Sequence, residues 1–295
     1  MARLRDLLDR RLDTLLASRP DLDRALTLQR TLLSRQVDLL EVIREGGLPN
    51  VVIPAGYLAA KLKRGVPALH GEPIPLPASV LQLTAREFCD HLAQGGAGTA
   101  ASLVGRAFDS RTIDGAAVIS ACFGRDQRRV RFMAAQQGLS PDIVWLVSEL
   151  ALAPFAHLLQ RRAFGGDDTS VEKTRDWDRG FCPACGSWPA VVEAIEGRHV
   201  LRCSFCAAGW ELSSYRCIYC ANDGDRFITA APDPEQAGRR VQMCGQCGGY
   251  VKVIEMIAPT EFPMVAIEDL ISLDLDMIAI ERKYMRPALP EISRK

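Results

Sequence analysis

Apolar residues recur at helical spacing through the first half of the chain. Leu4, Leu7, Leu8, Leu12, Leu15 and Leu16 share one face and charged residues fill the other, the pattern of an amphipathic helix burying one stripe. Pro20 breaks the pattern. It resumes over residues 21–47, where Gly46-Gly47 supplies a stop. Residues 48–80 are proline-rich and predict irregular backbone, with one short helix near GYLAAKLKRG (56–65). Thr84 and Glu87 have capping-box spacing and predict a helix from there to about Gln94. Further helices are predicted around 98–107, 110–123 and 125–137, the last stopped by Gly138. Ser140-Pro141 opens another, to about Phe164. Strand alternation is scarce, so residues 1–164 are expected to form an α-helical domain.

The pattern then changes. GGDDTSVEKTRDWDRG (165–180) is polar and glycine-flanked and reads as a linker. Two strand–turn–strand units follow. WPAVVEAI turns at Glu196-Gly197 into RHVLRC, and RFITAA turns through PDPEQAG (232–238) into RRVQM. The last piece, EDLISLDLDMIAIERKYMR (268–286), returns to helical spacing and is expected to pack back on the first domain. The predicted fold is a mainly α N-terminal domain, two tandem small β modules of zinc-ribbon type (181–215 and 216–256) and a C-terminal helical segment (257–295). This is a multidomain α+β chain.

Charge narrows the function. Lys+Arg and Asp+Glu number 36 each in 295 residues. That balance argues against a dedicated nucleic-acid or anionic-membrane binder. The N-terminal segment has no apolar run of the secretory kind. Arg10-Arg11 is followed by Asp13 and polar residues, so the pair reads as a solvated helix face. The apolar stretch IVWLVSELALAPF (143–155) contains Glu149 and Pro154 and is too short to span a bilayer. A cytoplasmic protein without stable membrane insertion is expected. In that compartment thiols stay reduced, and Cys-x2-Cys signals metal or redox chemistry.

Eight of the ten cysteines form four such pairs. Cys182, Cys185, Cys203 and Cys206 give C-x2-C-x17-C-x2-C, and Cys217, Cys220, Cys244 and Cys247 give C-x2-C-x23-C-x2-C. Two intervening residues let both sulfurs of a pair curl toward one ion, and four thiolates satisfy zinc or iron without histidine. Each predicted hairpin returns its second pair to its first, which favours sequential pairing into two sites. Gly186 and Gly248 permit positive φ after the second cysteine of their pairs. A closed four-thiolate site leaves no coordination position open, so its default role is structural. Spacing does not choose between zinc and iron.

Other residues carry less. Cys89 and Cys122 lie among apolar neighbours and read as core thiols. His91 is two residues from Cys89, on another helix face, and His70, His157 and His199 are scattered. Ser140, Ser148 and Ser187 lack a nucleophile-elbow context, and GGAG (95–98) lacks the residues of a phosphate loop. Trp188, Phe205, Trp210, Tyr215 and Tyr219 interleave the thiols, where packing around metals is the default. Nearby Arg198, Arg202, Arg216 and Arg226 are matched by acidic residues. No catalytic acid–base set emerges, so a non-enzymatic role is expected. A rubredoxin-like electron carrier or thiol-redox protein and a zinc-ribbon nucleic-acid binder are the competing classes.

CPACGSWP (182–189), LRCSFC with Trp210, CIYC (217–220), CGQCGGYVK (244–252) and the 268–286 segment together resemble the FdhE family of formate dehydrogenase accessory proteins. Pro183 with Gly186-Ser187, Trp210, Tyr250-Val251-Lys252, and Asp269-Leu270 with Leu273, Leu275, Asp276, Tyr284 and Arg286 make the resemblance specific. It covers about 180–286, and the helical half agrees in length and style. Ser214 and Lys283 depart from the family pattern, which has a basic residue and glycine there. The resemblance implies a cytoplasmic maturation factor that contacts the catalytic subunit of respiratory formate dehydrogenase, exported by the twin-arginine route. It also implies two rubredoxin-like sites at the eight cysteines, with iron favoured and zinc the alternative.

Overall fold

The N-terminal stripe forms α1 (Ala2–Ser18), which buries Leu8, Leu12 and Leu15. Pro20 opens a short 3-10 turn and α2 (Asp23–Gly46) follows, ended by Gly47 at φ 77°. The computed structural model describes residues 2–49, 51–165, 174, 176–230 and 238–292. Most of the expected linker and of the second hairpin's turn therefore lie outside the described residues. The chain divides into two compact units, Met1–Val51 with Gly71–Leu159, and Val52–His70 with Gln160–Lys295.

The first unit is helical. Here the expected capping box is not formed. Helix α4 (Ala78–Leu92) starts directly after Pro77 because Leu81, Ala85, Phe88 and Leu92 carry the buried stripe. Thr84 thus sits inside the helix, its hydroxyl donating to Val80 O (3.0 Å), and Glu87 pairs with Arg35 at 2.6 Å. A π turn, Ala93–Ala97, leads to α5 (Gly98–Asp109). Helices α6 (Gly115–Phe123) and α7 (Gln127–Gln136) start later than the periodicity predicts. Asp114 and Asp126 cap them, each accepting from an N–H three residues on at 3.0 Å.

Helix α8 (Pro141–Phe164) carries the apolar stretch. By length and composition it is sufficient to cross a membrane, so the run is not excluded by shortness; 67% of its apolar window is buried inside the protein. Glu149 within it pairs with Arg125 (2.6 Å) and accepts from the Trp145 indole (3.0 Å). Pro154 has no N–H to offer the Leu150 carbonyl one turn back. The buried Gln36 carboxamide donates to that carbonyl instead, at 2.9 Å.

The second unit holds α3 (Ala55–Lys63) and one six-stranded sheet, order β3-β2-β1-β6-β5-β4. The strands are β1 (Pro189–Ile195), β2 (Arg198–Cys203), β3 (Gly209–Trp210), β4 (Phe227–Ala230), β5 (Arg239–Cys244) and β6 (Tyr250–Glu255). The β1–β2 turn places Glu196 at φ 49° and Gly197 at φ 79°, the twist a two-residue hairpin needs. Both hairpins form with antiparallel register, Val192 opposite Leu201 and Thr229 opposite Gln242. The strand after the fourth cysteine pair, β6, lies antiparallel to β5 and parallel to β1, with Val191 opposite Lys252. That parallel pair joins the two hairpins into one sheet.

The C-terminal segment forms α9 (Val265–Ile271) and α10 (Leu273–Glu281). These pack on the sheet of their own unit, α9 on β1 and α10 on β5 and β6. Leu275 and Ala279 enter a core with Val241, Met243 and Tyr250.

Candidate metal centres

The four Cys-x2-Cys pairs fold into four copies of one loop. In each, the N–H of the first cysteine donates to the carbonyl five residues on: Cys182 to Ser187 (2.8 Å), Cys203 to Ala208 (2.9 Å), Cys217 to Asn222 (2.8 Å) and Cys244 to Gly249 (2.9 Å). The N–H four residues on donates back to that cysteine's carbonyl, from Gly186 (3.0 Å), Ala207 (3.2 Å), Ala221 (2.9 Å) and Gly248 (2.8 Å). Closing so tight a loop puts the residue after the second cysteine at positive φ: Gly186 87°, Ala207 56°, Ala221 60° and Gly248 70°. Backbone N–H groups then face the first sulfur. Ala184 N–H reaches Cys182 Sγ at 3.3 Å, and the Phe205 and Cys206 N–H groups reach Cys203 Sγ at 3.4 Å. Such donors stabilise a thiolate over a thiol.

The hairpins return the pairs to one another in sequence order. Cys182, Cys185, Cys203 and Cys206 form one group, and Cys217, Cys220, Cys244 and Cys247 the other, with the sulfurs of each within 4.8 Å of one another. Specific separations are 3.6 Å for Cys182–Cys206, 3.4 Å for Cys185–Cys203, 3.7 Å for Cys217–Cys247 and 3.6 Å for Cys220–Cys244. A disulfide requires about 2 Å. Tetrahedral bonds of ~2.3 Å from sulfur to a central zinc put neighbouring sulfurs ~3.8 Å apart. Each group therefore fits one tetrahedral ion, and the two groups could hold two.

The thiols differ in acidity. Burial pushes Cys182 and Cys206 well above the usual thiol range. Burial likewise raises Cys217 against the pull of the Cys220 and Tyr219 N–H groups. For Cys244 burial also raises the value, but the Cys247 and Gln246 N–H groups and the neighbouring thiols bring it down to about 7. Four neutral thiols this close gain little from one another and four thiolates would repel; a bound cation would offset that repulsion.

The two centres are packed differently. All four cysteines of the first are buried. Ala68 N–H donates to Pro183 O (2.7 Å) and Leu69 N–H to Ala184 O (2.9 Å), so residues 67–69 cover its first loop. Lys61, itself buried, donates to Ala68 O (2.9 Å) and His70 O (2.8 Å) and pins that cover. The C-terminal tail adds to it, with Ile292 lying so close that a Cβ on Gly186 would come within 2.4 Å. In the second centre Cys220 and Cys247 are exposed. An aromatic contact links the two, Trp188 to Tyr219 at 4.8 Å between ring centres.

Below the second centre lies a polar clamp that periodicity does not reveal. Lys252, fully buried in β6, pairs with Asp269 and Asp276, both at 2.7 Å. Arg286 pairs with the same two carboxylates at 2.7 and 3.1 Å, and the Tyr250 hydroxyl donates to Asp276 at 2.7 Å. Tyr219, between Cys217 and Cys220, donates to Tyr250 O at 2.8 Å. A lysine at an inward position of the apolar run YVKVI, matched to aspartates on the last helices, was the available signal.

The other candidates are not brought together. Cys89 and Cys122 are separate buried thiols, Cys89 pushed up to about 12 by burial and Cys122 also raised by it. Trp210 is buried and donates to Arg179 O (3.0 Å), and Phe205 is buried. Arg198 meets Glu211, Arg202 meets Glu193 and Arg216 meets Asp178.

Two tetra-cysteine centres carried on one sheet, in a chain with a helical unit, define an α+β protein of the metal-binding, zinc-ribbon-like class. No family model matches the chain. It is similar to an FdhE homolog from Aquifex aeolicus, 28% identical over 156 residues, which are 51% of this chain and 52% of the relative. It is similar to FdhE from Escherichia coli, 28% identical over 152 residues, 50% of this chain and 45% of the relative. The chain thus spans about half the length of the curated relatives it matches. The crystal structure of the FdhE protein from Pseudomonas aeruginosa matches 96% of this chain and 94% of its own, with 25% identity and a TM-score of 0.56. These likenesses support an FdhE-family protein.

Proposed function

We propose that this protein is a cytoplasmic, non-enzymatic accessory factor for the maturation of respiratory formate dehydrogenase. Its eight paired cysteines hold two metal ions, iron before zinc, and the scaffold they stabilise docks the catalytic subunit of that enzyme. The observation carrying this reading is the pair of closed tetra-cysteine groups in an FdhE-family chain. A closed four-thiolate site has no position for substrate, so its effect on a partner passes through folding or redox state.

The test is capture of the formate dehydrogenase catalytic subunit by this chain, with formate dehydrogenase activity in cells read in parallel. Cys217→Ser with Cys220→Ser should lower both. Undiminished capture and activity would remove the scaffold reading. Exposure of Cys220 and Cys247 favours one second reading, electron transfer. Zinc is redox-inert, so zinc-loaded protein that docks normally but fails to restore activity, where the iron form succeeds, would put electron transfer first.

A further inference from the structure

We propose that the two centres divide their labour: the second, at Cys217, Cys220, Cys244 and Cys247, exchanges its metal with solution, while the first, at Cys182, Cys185, Cys203 and Cys206, keeps its ion locked. This rests on the reading that both centres hold metal. The local loops are the same, so a difference in behaviour must come from what lies over them.

The first centre is sealed. Its cysteines are buried, and the Ala68 and Leu69 N–H groups tie residues 67–69 to the Pro183 and Ala184 carbonyls. Lys61 holds this cover by donating to Ala68 O and His70 O. Ile292 closes on Gly186 from the other end of the chain. A competing ligand reaches that ion only after the cover opens.

The second centre has an open side. Cys220 and Cys247 are exposed, and so are Gly245 and Gln246 of the last loop. Met285 N–H donates to Gly248 O (2.9 Å), which anchors the tail beside this loop without hiding Cys247. A soft donor, a thiolate or a nitrogen chelator, can approach the ion through the Cys220–Cys247 side. It bonds to the ion as one cysteine thiolate departs, and that thiolate takes a proton from water. No electron changes hands, so the ion passes to the acceptor in its original charge state.

The test uses the full chain loaded with zinc and challenged with excess nitrogen chelator, with thiols trapped at intervals by an alkylating reagent and located by mass spectrometry. Two release phases of equal amplitude are expected. Opening two backbone hydrogen bonds makes the slow phase at least about tenfold slower than the fast one. Cys220 and Cys247 should be alkylated with the fast phase, and Cys182 and Cys206 with the slow. Lys61→Met alters no ligand and should accelerate only the slow phase. A single release phase with all eight thiols labelled together would overturn the division while leaving two bound ions intact. A slow phase that maps to Cys220 and Cys247, or one indifferent to Lys61→Met, would also overturn it. A chain that binds no zinc would overturn the metal reading and this one with it.

Discussion

In each cysteine loop the residue after the second cysteine is left-handed, and in two of the four it is alanine. An L side chain in that conformation costs roughly 1 kcal/mol, which glycine does not bear. Ala221 is exposed at φ 60°, so replacing it opens no cavity. Ala221→Gly is expected to stabilise the metal-loaded chain by about 1 kcal/mol, seen as a higher urea midpoint. An unchanged or lower midpoint would mean that the loop gains more from a stiffer unfolded chain than it loses to strain. Gly186 has no such latitude, because its φ of 87° coincides with Ile292 against its α-hydrogen face.

Among elements, the attachment of α10 to β6 is the most exposed to a single change. Apolar contacts from Leu275 and Ala279 position the helix, and the Lys252–Asp276 pair fixes it. Asp276→Ala leaves the buried lysine with one fewer countercharge. Breaking a buried pair in this way costs ~3–5 kcal/mol, and urea unfolding followed by Trp fluorescence should register it. A loss below ~1 kcal/mol would mark the pair as no stronger than a surface salt bridge. The clamp also predicts acid sensitivity. Burial raises the Asp269 carboxyl, but Arg286 and Lys252 outweigh it and hold the value below the ordinary 3.8. A depressed carboxyl contributes stability that is complete above 3.8 and is lost as pH falls through its folded value. Asp269→Asn should flatten that part of the stability profile. Any acid loss of metal is common to both proteins, so the difference between the two curves isolates the carboxylate.

For the whole molecule, the two units draw on different sources of stability. The helical unit buries long apolar stripes such as Leu26, Leu33, Val37 and Leu40. The sheet unit has short strands, and under the proposed metal binding its cysteine centres would add the kind of folding free energy that structural zinc sites supply, ~10–16 kcal/mol. Stripping metal with chelator under reducing conditions is expected to loosen the sheet unit and spare the helices. Amide exchange should rise across β1–β6 and stay slow in α2 and α4. Equal loss of protection in both units would show that the centres support the entire chain.

The cysteine loops and most helices were legible in sequence because they are local. Cys-x2-Cys geometry closes within six residues, and helical faces are set by neighbours three and four positions away. The capping box failed because Thr84 and Glu87 match a local signature that the buried stripe from Leu81 onward overrides. Nothing local pairs β1 with β6, since those strands lie about sixty residues apart. The same holds for Lys61 and residues 67–69, whose proline-rich neighbourhood reads as irregular until the Pro183 and Ala184 carbonyls meet it. The sequence by itself picked out the eight sulfurs, favoured their sequential grouping and allowed the left-handed turn at Gly186 and Gly248. Only the tertiary structure decided that the hairpins share one sheet, that Lys252 is clamped by the last helices, and that one centre is covered while the other faces solvent. Short-range backbone geometry is written in spacing, whereas burial and countercharge come from residues the chain must bring from far away.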